Sequence, residues 1–171
     1  MSTGEHLSKT RELVGAVRSL TDDRLRELFL ELSVGRLRGV SEVEPTWGEE
    51  VMYSDVLMIL GAERGLWDEA GYRKEPKPRE TDLEFSRAME LRVCELWSEQ
   101  DFPLLVFFII DLKYGIRRID DRNLGAIADI VNGPWLFQAS VVKEMLQWRL
   151  ATLRMAINAV LVDRGIISGV E

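Results

Sequence analysis

Apolar residues recur at spacings of three and four along almost the whole chain, and no stretch alternates as a half-buried β-strand does. The clearest example is the set Leu13, Val14, Val17 and Leu20, which falls on one side of a helix beginning near Arg11. We therefore predict an all-α protein, a compact multi-helix bundle of about six or seven helices. The helices form either one body or two packed helical lobes.

Helix-start signals separate these predicted elements. Thr21 precedes two aspartates and suits the N-cap of the second helix. Residues 81–84, Thr-Asp-Leu-Glu, form a capping box whose threonine would cap the fourth helix. Pro103 suits the first turn of a fifth helix, and Asp120 with Asp121 suits the start of a sixth.

The clearest break in the helical pattern is the sequence GYRKEPKPRE at residues 71–80. Pro76 and Pro78 cannot lie inside a helix, because proline lacks the backbone N–H and clashes with the preceding turn. We therefore predict an N-terminal helical lobe at residues 1–70, a proline-containing linker at 71–80, and a C-terminal lobe at 81–171.

The last predicted helix is the longest and extends from about residue 135 to residue 164, where Gly165 ends it. Its apolar positions follow the spacing of a coiled-coil seam. The seam residues are Leu146, Leu150, Leu153 and Ile157. A helix of about 30 residues is roughly 45 Å long, so it either supports both lobes or contacts a second copy. We predict a homo-oligomer formed through the C-terminal helices.

Two further features favour protein–protein contacts. The run from Leu104 to Ile110 is apolar on every side of its helix, so that helix must be central or lie in an interface. Tryptophan is favoured in interfaces because it buries a large area and keeps one polar N–H. The predicted tryptophan contacts are Trp47, Trp97, Trp135 and Trp148. The alternative is that these rings pack between helices of the same chain.

Composition narrows the possible chemistry. The chain has one histidine, His6, and one cysteine, Cys94, which excludes multi-histidine metal sites, internal disulfides and cysteine-rich zinc sites. His6 lies in a terminus that we expect to fray, and Cys94 lies among apolar neighbours where we expect a buried structural thiol. The net charge of −7 argues against sequence-independent nucleic-acid binding, since a basic face is needed to neutralise phosphates.

Carboxylates offer the main enzymatic alternative. All-α nucleotide pyrophosphohydrolases hold metal with Glu-x-x-Glu followed by Glu-x-x-Asp, and residues 49–57 resemble the second half of that pattern. Met52 stands where the family has glutamate. The alternative metal ligands are Glu49, Glu50 and Asp55, with an exposed acidic helix face as the other interpretation.

Arg117, Arg118 and Arg122 form a local basic cluster that predicts a weak anion site, although Asp120 and Asp121 beside it would neutralise part of its field. Solvated surface explains the same residues. The enzymatic alternative would use Arg117 and Arg118 together with its carboxylates, and a binding role for RNA would use the same kind of cluster.

The sequence favours a non-enzymatic interaction protein, an adaptor, accessory subunit or regulator, with no cofactor and an unidentified protein partner. The alternatives are a carboxylate-metal enzyme acting on a phosphorylated ligand and a subunit of a nucleic-acid complex. No secretory signal is present, and the longest apolar run, residues 102–110, is far shorter than the about 20 residues that cross a bilayer. We expect a cytoplasmic protein without a membrane partner.

Overall fold

A computed structural model describes residues 3–38, 47–68, 79–133 and 144–167. Within these ranges the elements are seven α-helices and one 3₁₀ helix, which confirms the all-α prediction. The α-helices are α1 (Thr3–Arg18), α2 (Asp22–Arg38), α3 (Trp47–Glu63), α4 (Leu83–Ser98), α5 (Phe102–Leu112), α6 (Asp121–Val131) and α7 (Glu144–Asp163), and the 3₁₀ helix is Lys113–Arg118.

Most predicted helix starts are confirmed. The Thr21 hydroxyl accepts a hydrogen bond from the Arg24 N–H at 3.2 Å, and Asp120 caps α6 in the same way. The capping box at residues 81–84 is wrong by one position. The residue that caps α4 is Asp82, whose carboxylate accepts the Phe85 N–H at 3.0 Å.

Helix α1 begins well before the apolar pattern does, because two polar residues extend its buried side. His6 and Thr10 lie one turn apart, and both are buried. The Thr10 hydroxyl donates to the His6 carbonyl at 2.7 Å and so satisfies its own polarity inside the helix. The expectation that His6 lies in a frayed terminus is therefore wrong.

Helix α7 is the centre of the bundle. It packs most extensively against α3 and α1, and it also contacts α6, α5 and the 3₁₀ helix. Helix α2 packs on α3, and α4 packs on α5 and α6. From residue 153 to residue 161 every side chain of α7 is buried. A helix surrounded on all sides must be apolar or internally hydrogen-bonded all round, as this stretch is.

The division into lobes stays a prediction. Linker residues 71–78 lie outside the described residues, as do residues 134–143, where the sequence predicts the start of the last helix. What the structure does give is one core cluster that draws on helices before and after the linker, with α7 in contact with both groups.

Trp67 joins α2 to α3 beyond the end of α3. Its ring stacks on Phe29 with centroids 4.5 Å apart, and its indole N–H donates to the Met58 carbonyl at 2.7 Å. Gly61 allows this approach, because a Cβ at that position would lie 1.9 Å from the ring. Trp67 thus packs inside its own chain.

In the described parts of the chain, none of the helices combines the length and the hydropathy needed to span a bilayer.

Candidate interaction surface

Helix α5 is apolar on both of its sides, and only one of them is buried. Asp101 caps the helix by accepting the Leu104 N–H, and Pro103 occupies its first turn. The side toward the core carries Leu105, Val106, Ile109 and Leu112. The opposite side carries Leu104, Phe107 and Asp111, and Tyr114 follows at the same spacing in the 3₁₀ helix; we call these four residues the α5 face.

The exposure of the α5 face is large for residues of this type. Leu104 is 44% exposed, Phe107 is 54% exposed and Tyr114 is 61% exposed. Single exposed apolar side chains are ordinary on protein surfaces, whereas several on one helix side indicate a binding surface. The structure therefore shows that the predicted apolar helix lies at the edge of the bundle and not at its centre.

Trp97 lies near the end of α4, beside the start of α5. Its ring meets Phe102 edge to face, with centroids 5.8 Å apart, and it remains partly exposed. The turn between α4 and α5 is tight, since Gln100 adopts a positive φ of 56°. This turn places the last residue positions of α4 beside the first turn of α5. Of the predicted interaction residues, Trp97 is the one that the structure describes on a surface.

The remaining predicted interaction residues have two outcomes. Leu153 and Ile157 are buried in the core of this chain, so the described half of the coiled-coil seam is internal. The side chains of the other positions lie outside the described residues. These positions are Trp47, Trp135, Trp148, Leu146 and Leu150.

Acidic residues outnumber basic ones along the α5 face. Between residues 97 and 114 the chain contains Glu99, Asp101 and Asp111 and one basic residue, Lys113. Within the described residues, the carboxylates of Glu99 and Asp111 form no hydrogen bond or ion pair. Sequence reasoning identified the apolar run but missed this acidic border, which the segment's composition already contains.

The three arginines of the predicted anion site differ in their contacts and in their exposure. The Arg118 guanidinium pairs with Asp82 at 2.6 Å and lies 4.1 Å from the centre of the Phe85 ring. The hydrogen bond from the Phe85 N–H, followed by the one from Arg118, holds the pKa of Asp82 below its usual value. Arg117 is half-buried and Arg122 is exposed. Anion binding at this cluster stays a prediction.

The alternative metal ligands are only partly described. Asp55 is buried in α3, while the side chains of Glu49 and Glu50 lie outside the description. Across the described ranges, no group of three or more His, Cys, Asp and Glu side chains is arranged to hold a metal ion.

Cys94 is exposed on α4, so the expectation of a buried thiol is wrong. Leu91, one turn before it, points to solvent as well, because the side of α4 that faces the bundle carries Val93 and Leu96. Partial desolvation, followed by the charge of Glu90, raises the pKa of Cys94. A raised pKa disfavours the thiolate, which is the nucleophilic form.

A buried polar cluster links α1, the end of α6 and α7. The Asn132 and Asn158 side chains exchange amide hydrogen bonds of 2.9 and 3.0 Å, and Arg154 Nε donates to Asn132 Oδ1 at 3.0 Å. Burial, followed by the nearby charge of Arg154, lowers the pKa of His6 to about 4. His6 is therefore neutral at physiological pH and acts as a core residue. No periodic pattern announced this cluster, because its members are polar residues at apolar positions.

Comparison with protein-family models, with curated proteins and with solved structures found no match to this chain. Its function must therefore be inferred from its own residues.

Proposed function

We propose that this protein is a non-enzymatic, cytoplasmic interaction protein, an adaptor, accessory subunit or regulator, which binds a protein partner through the α5 face. The observation that carries the proposal is the exposure of Leu104 and Phe107 on a helix whose opposite side already completes the core, with Tyr114 exposed just beyond the end of that helix. The single cysteine of the chain suits a reducing compartment.

The physical argument rests on what the fold needs from α5. One buried side is sufficient to attach a helix to a bundle, and a surface helix normally has polar residues on its other side. Burying a leucine or phenylalanine side chain contributes about 1.5–3 kcal/mol. The outward residues are only about half covered by this chain's own folding, so a partner that covers the rest gains part of that free energy.

The residue types on the α5 face favour a protein as the partner. Phe107 and Tyr114 are aromatic, and aromatic residues are enriched at the centres of protein–protein interfaces. Their few rotatable bonds limit the entropy lost on binding.

Self-association through the C-terminal helix is part of the same proposal. Because Leu153 and Ile157 are internal, copies would meet through the earlier seam positions, Leu146 and Leu150. Light scattering at a protein concentration of about 10⁻⁵ M tests this directly. A dimer that dissociates in Leu146→Asp and Leu150→Asp supports it, and a monomer contradicts it.

The main test is affinity purification from the native organism with matched variants. Phe107→Asp removes an apolar side chain from the α5 face. Leu30→Asp is the control, because Leu30 is 65% exposed on α2 and lies on a different helix pair. We expect one partner to be retained in stoichiometric amounts by the wild type and the Leu30 variant and to be lost with Phe107→Asp.

Two results would contradict the proposal. One is retention of the same partner by both variants, which would move the contact away from the α5 face. The other is a thermal shift with Mg²⁺ or Mn²⁺ and a nucleotide that disappears in Asp55→Ala, which would support the enzymatic alternative.

A further inference from the structure

We propose that the partner docks on the α5 face through a cationic amphipathic helix, with apolar residues at spacings of three and four and lysine or arginine on both flanks. This inference rests on the proposed function and names the chemistry of its partner. It follows from two observations, an apolar ridge along α5 and an excess of carboxylates, three against the single Lys113, between residues 97 and 114.

The shape of the α5 face suits a helix. Its apolar positions extend from Leu104 to Tyr114, about 15 Å at 1.5 Å per residue. This is the length of about three helical turns, the size of the segment that docks in helix-to-helix recognition. The gap between the ridges of one helix receives the side chains of another, and residues at three- and four-residue spacing supply such ridges.

The carboxylates around the α5 face determine which charges are favourable on the two flanks of the partner helix. Glu99 lies at the end of α4, before the α5 face begins, and Asp111 lies within the face; neither carboxylate forms an ion pair inside the described chain. Asp101 caps α5 with its carboxylate. A partner with lysine or arginine beside its apolar stripe would neutralise all three, whereas an acidic or phosphorylated partner would meet like charge.

A second copy of this chain fits the face less well. Closed dimers are usually two-fold symmetric, so each residue near the axis meets its own equivalent. In an antiparallel α5 pair centred on the face, Asp111 of one copy would lie opposite Phe107 of the other, so its carboxylate would be desolvated without gaining a cation, which is unfavourable. The net charge of −7 adds repulsion between copies and attraction toward a basic partner.

The test uses two designed peptides with identical leucine and phenylalanine stripes, one flanked by lysine and the other by glutamate. Fluorescence anisotropy of each labelled peptide is measured against the full chain. We expect the lysine peptide to bind, the glutamate peptide to bind at least about tenfold more weakly, and added salt to reduce the difference.

Charge-reversal variants locate the binding site. In Glu99→Lys/Asp111→Lys we expect the lysine peptide to lose about tenfold in affinity, since two exposed ion pairs at the edge of the interface are replaced by repulsion. The control is Glu80→Lys/Asp129→Lys, which makes the same change in net charge at exposed positions away from the α5 face and should alter affinity by less than about twofold.

The outcomes separate this inference from the proposed function. If both peptides bind equally and Phe107→Asp abolishes both, the α5 face is a docking surface, but the inference about charge is overturned. If neither peptide binds at about 0.1 mM, or if Phe107→Asp dissociates a dimer of this chain, the cationic-helix inference fails. The affinity purification described above then judges the proposed function separately.

Discussion

Helices α3 and α7 end with the same four-residue pattern, an acidic residue, arginine, glycine and a branched aliphatic residue. The sequences are Glu63–Leu66 and Asp163–Ile166. In both, the glycine adopts a positive φ, 79° at Gly65 and 75° at Gly165, and the next N–H reaches back to the residue five positions earlier. This is the backbone arrangement of a Schellman motif, which satisfies carbonyls at a helix end.

The two arginines of these motifs nevertheless do different things. Arg164 has a side chain only 4% exposed, and it makes a bidentate pair with Glu63 at 2.9 and 3.1 Å. Arg64 has a side chain 26% exposed and donates to the carbonyls of Val17, Arg18 and Leu20 at the end of α1. A shared local motif therefore fixes the backbone, and the tertiary neighbours decide how much each arginine contributes to stability.

The largest expected effect comes from breaking the buried pair. Glu63→Ala leaves the Arg164 guanidinium buried without its bidentate partner, and we expect the free energy of unfolding to fall by about 3–5 kcal/mol. Urea denaturation measures the loss. The double variant Glu63→Leu/Arg164→Leu removes both charges and should recover part of it. If Glu63→Ala costs no more than a surface substitution, the pair is not the stabilising element of this helix end.

The next largest effect concerns the helix residue four positions before the positive-φ glycine of each motif. This residue is Gly61 in α3, where Trp67 needs the space, and the buried Leu161 in α7. Gly61→Ala would overpack the Trp67 site, and we expect a loss of about 1–3 kcal/mol together with a shift in tryptophan fluorescence. Gly15→Ala provides the matched control, since a Cβ there meets nothing within 4 Å.

A smaller loss is expected from Arg64→Ala, about 1–1.5 kcal/mol, because the lost hydrogen bonds are partly exposed and water replaces some of them. Arg64→Lys should restore less than half of this, since an ammonium group cannot span three carbonyls as a planar guanidinium does. Thermal unfolding of the three proteins gives the ranking. Full rescue by lysine would show that charge alone stabilises the end of α1.

The smallest expected effect comes from the positive φ of the glycine in the motif. At Gly165 an added Cβ meets no neighbour within 4 Å, so Gly165→Ala tests the cost of the positive φ by itself. We expect about 1 kcal/mol. Gly165→Asn should cost less, because asparagine tolerates the left-handed region better. Equal stability of all three proteins would mean that the helix end adjusts without strain.

The sequence predicts the helices more fully than it predicts their environment. Spacing and caps identify each described helix, because those signals are local, but they misplace the α1 start and the α4 cap. His6 and Thr10 carry no apolar signal, and Asp82 is selected over Thr81 partly through its pairing with Arg118, which lies far along the chain. Which side of a helix is exposed is harder still to predict. Nothing in the apolar run of α5 indicates which of its sides α7 covers.

The same limit applies to the candidate site. Trp97 was identified by residue type, and the structure describes it beside Phe102 on a partly exposed surface. Leu153 and Ile157 follow a coiled-coil spacing, yet that spacing cannot distinguish a partner helix from helices of the same chain. The composition of the segment reveals the acidic border of the α5 face only after the structure shows which side of α5 is exposed.

The central position of α7 has a consequence for synthesis on the ribosome. Helices α1 and α3 pack mainly on α7, which is the last of the described helices to be translated. The 80 residues between Glu63 and Glu144 take about 4–16 s at roughly 5–20 residues per second. During that interval the inner sides of α1 and α3 have no native cover. A nascent chain paused before α7 would therefore present an apolar cleft and be a good substrate for chaperones.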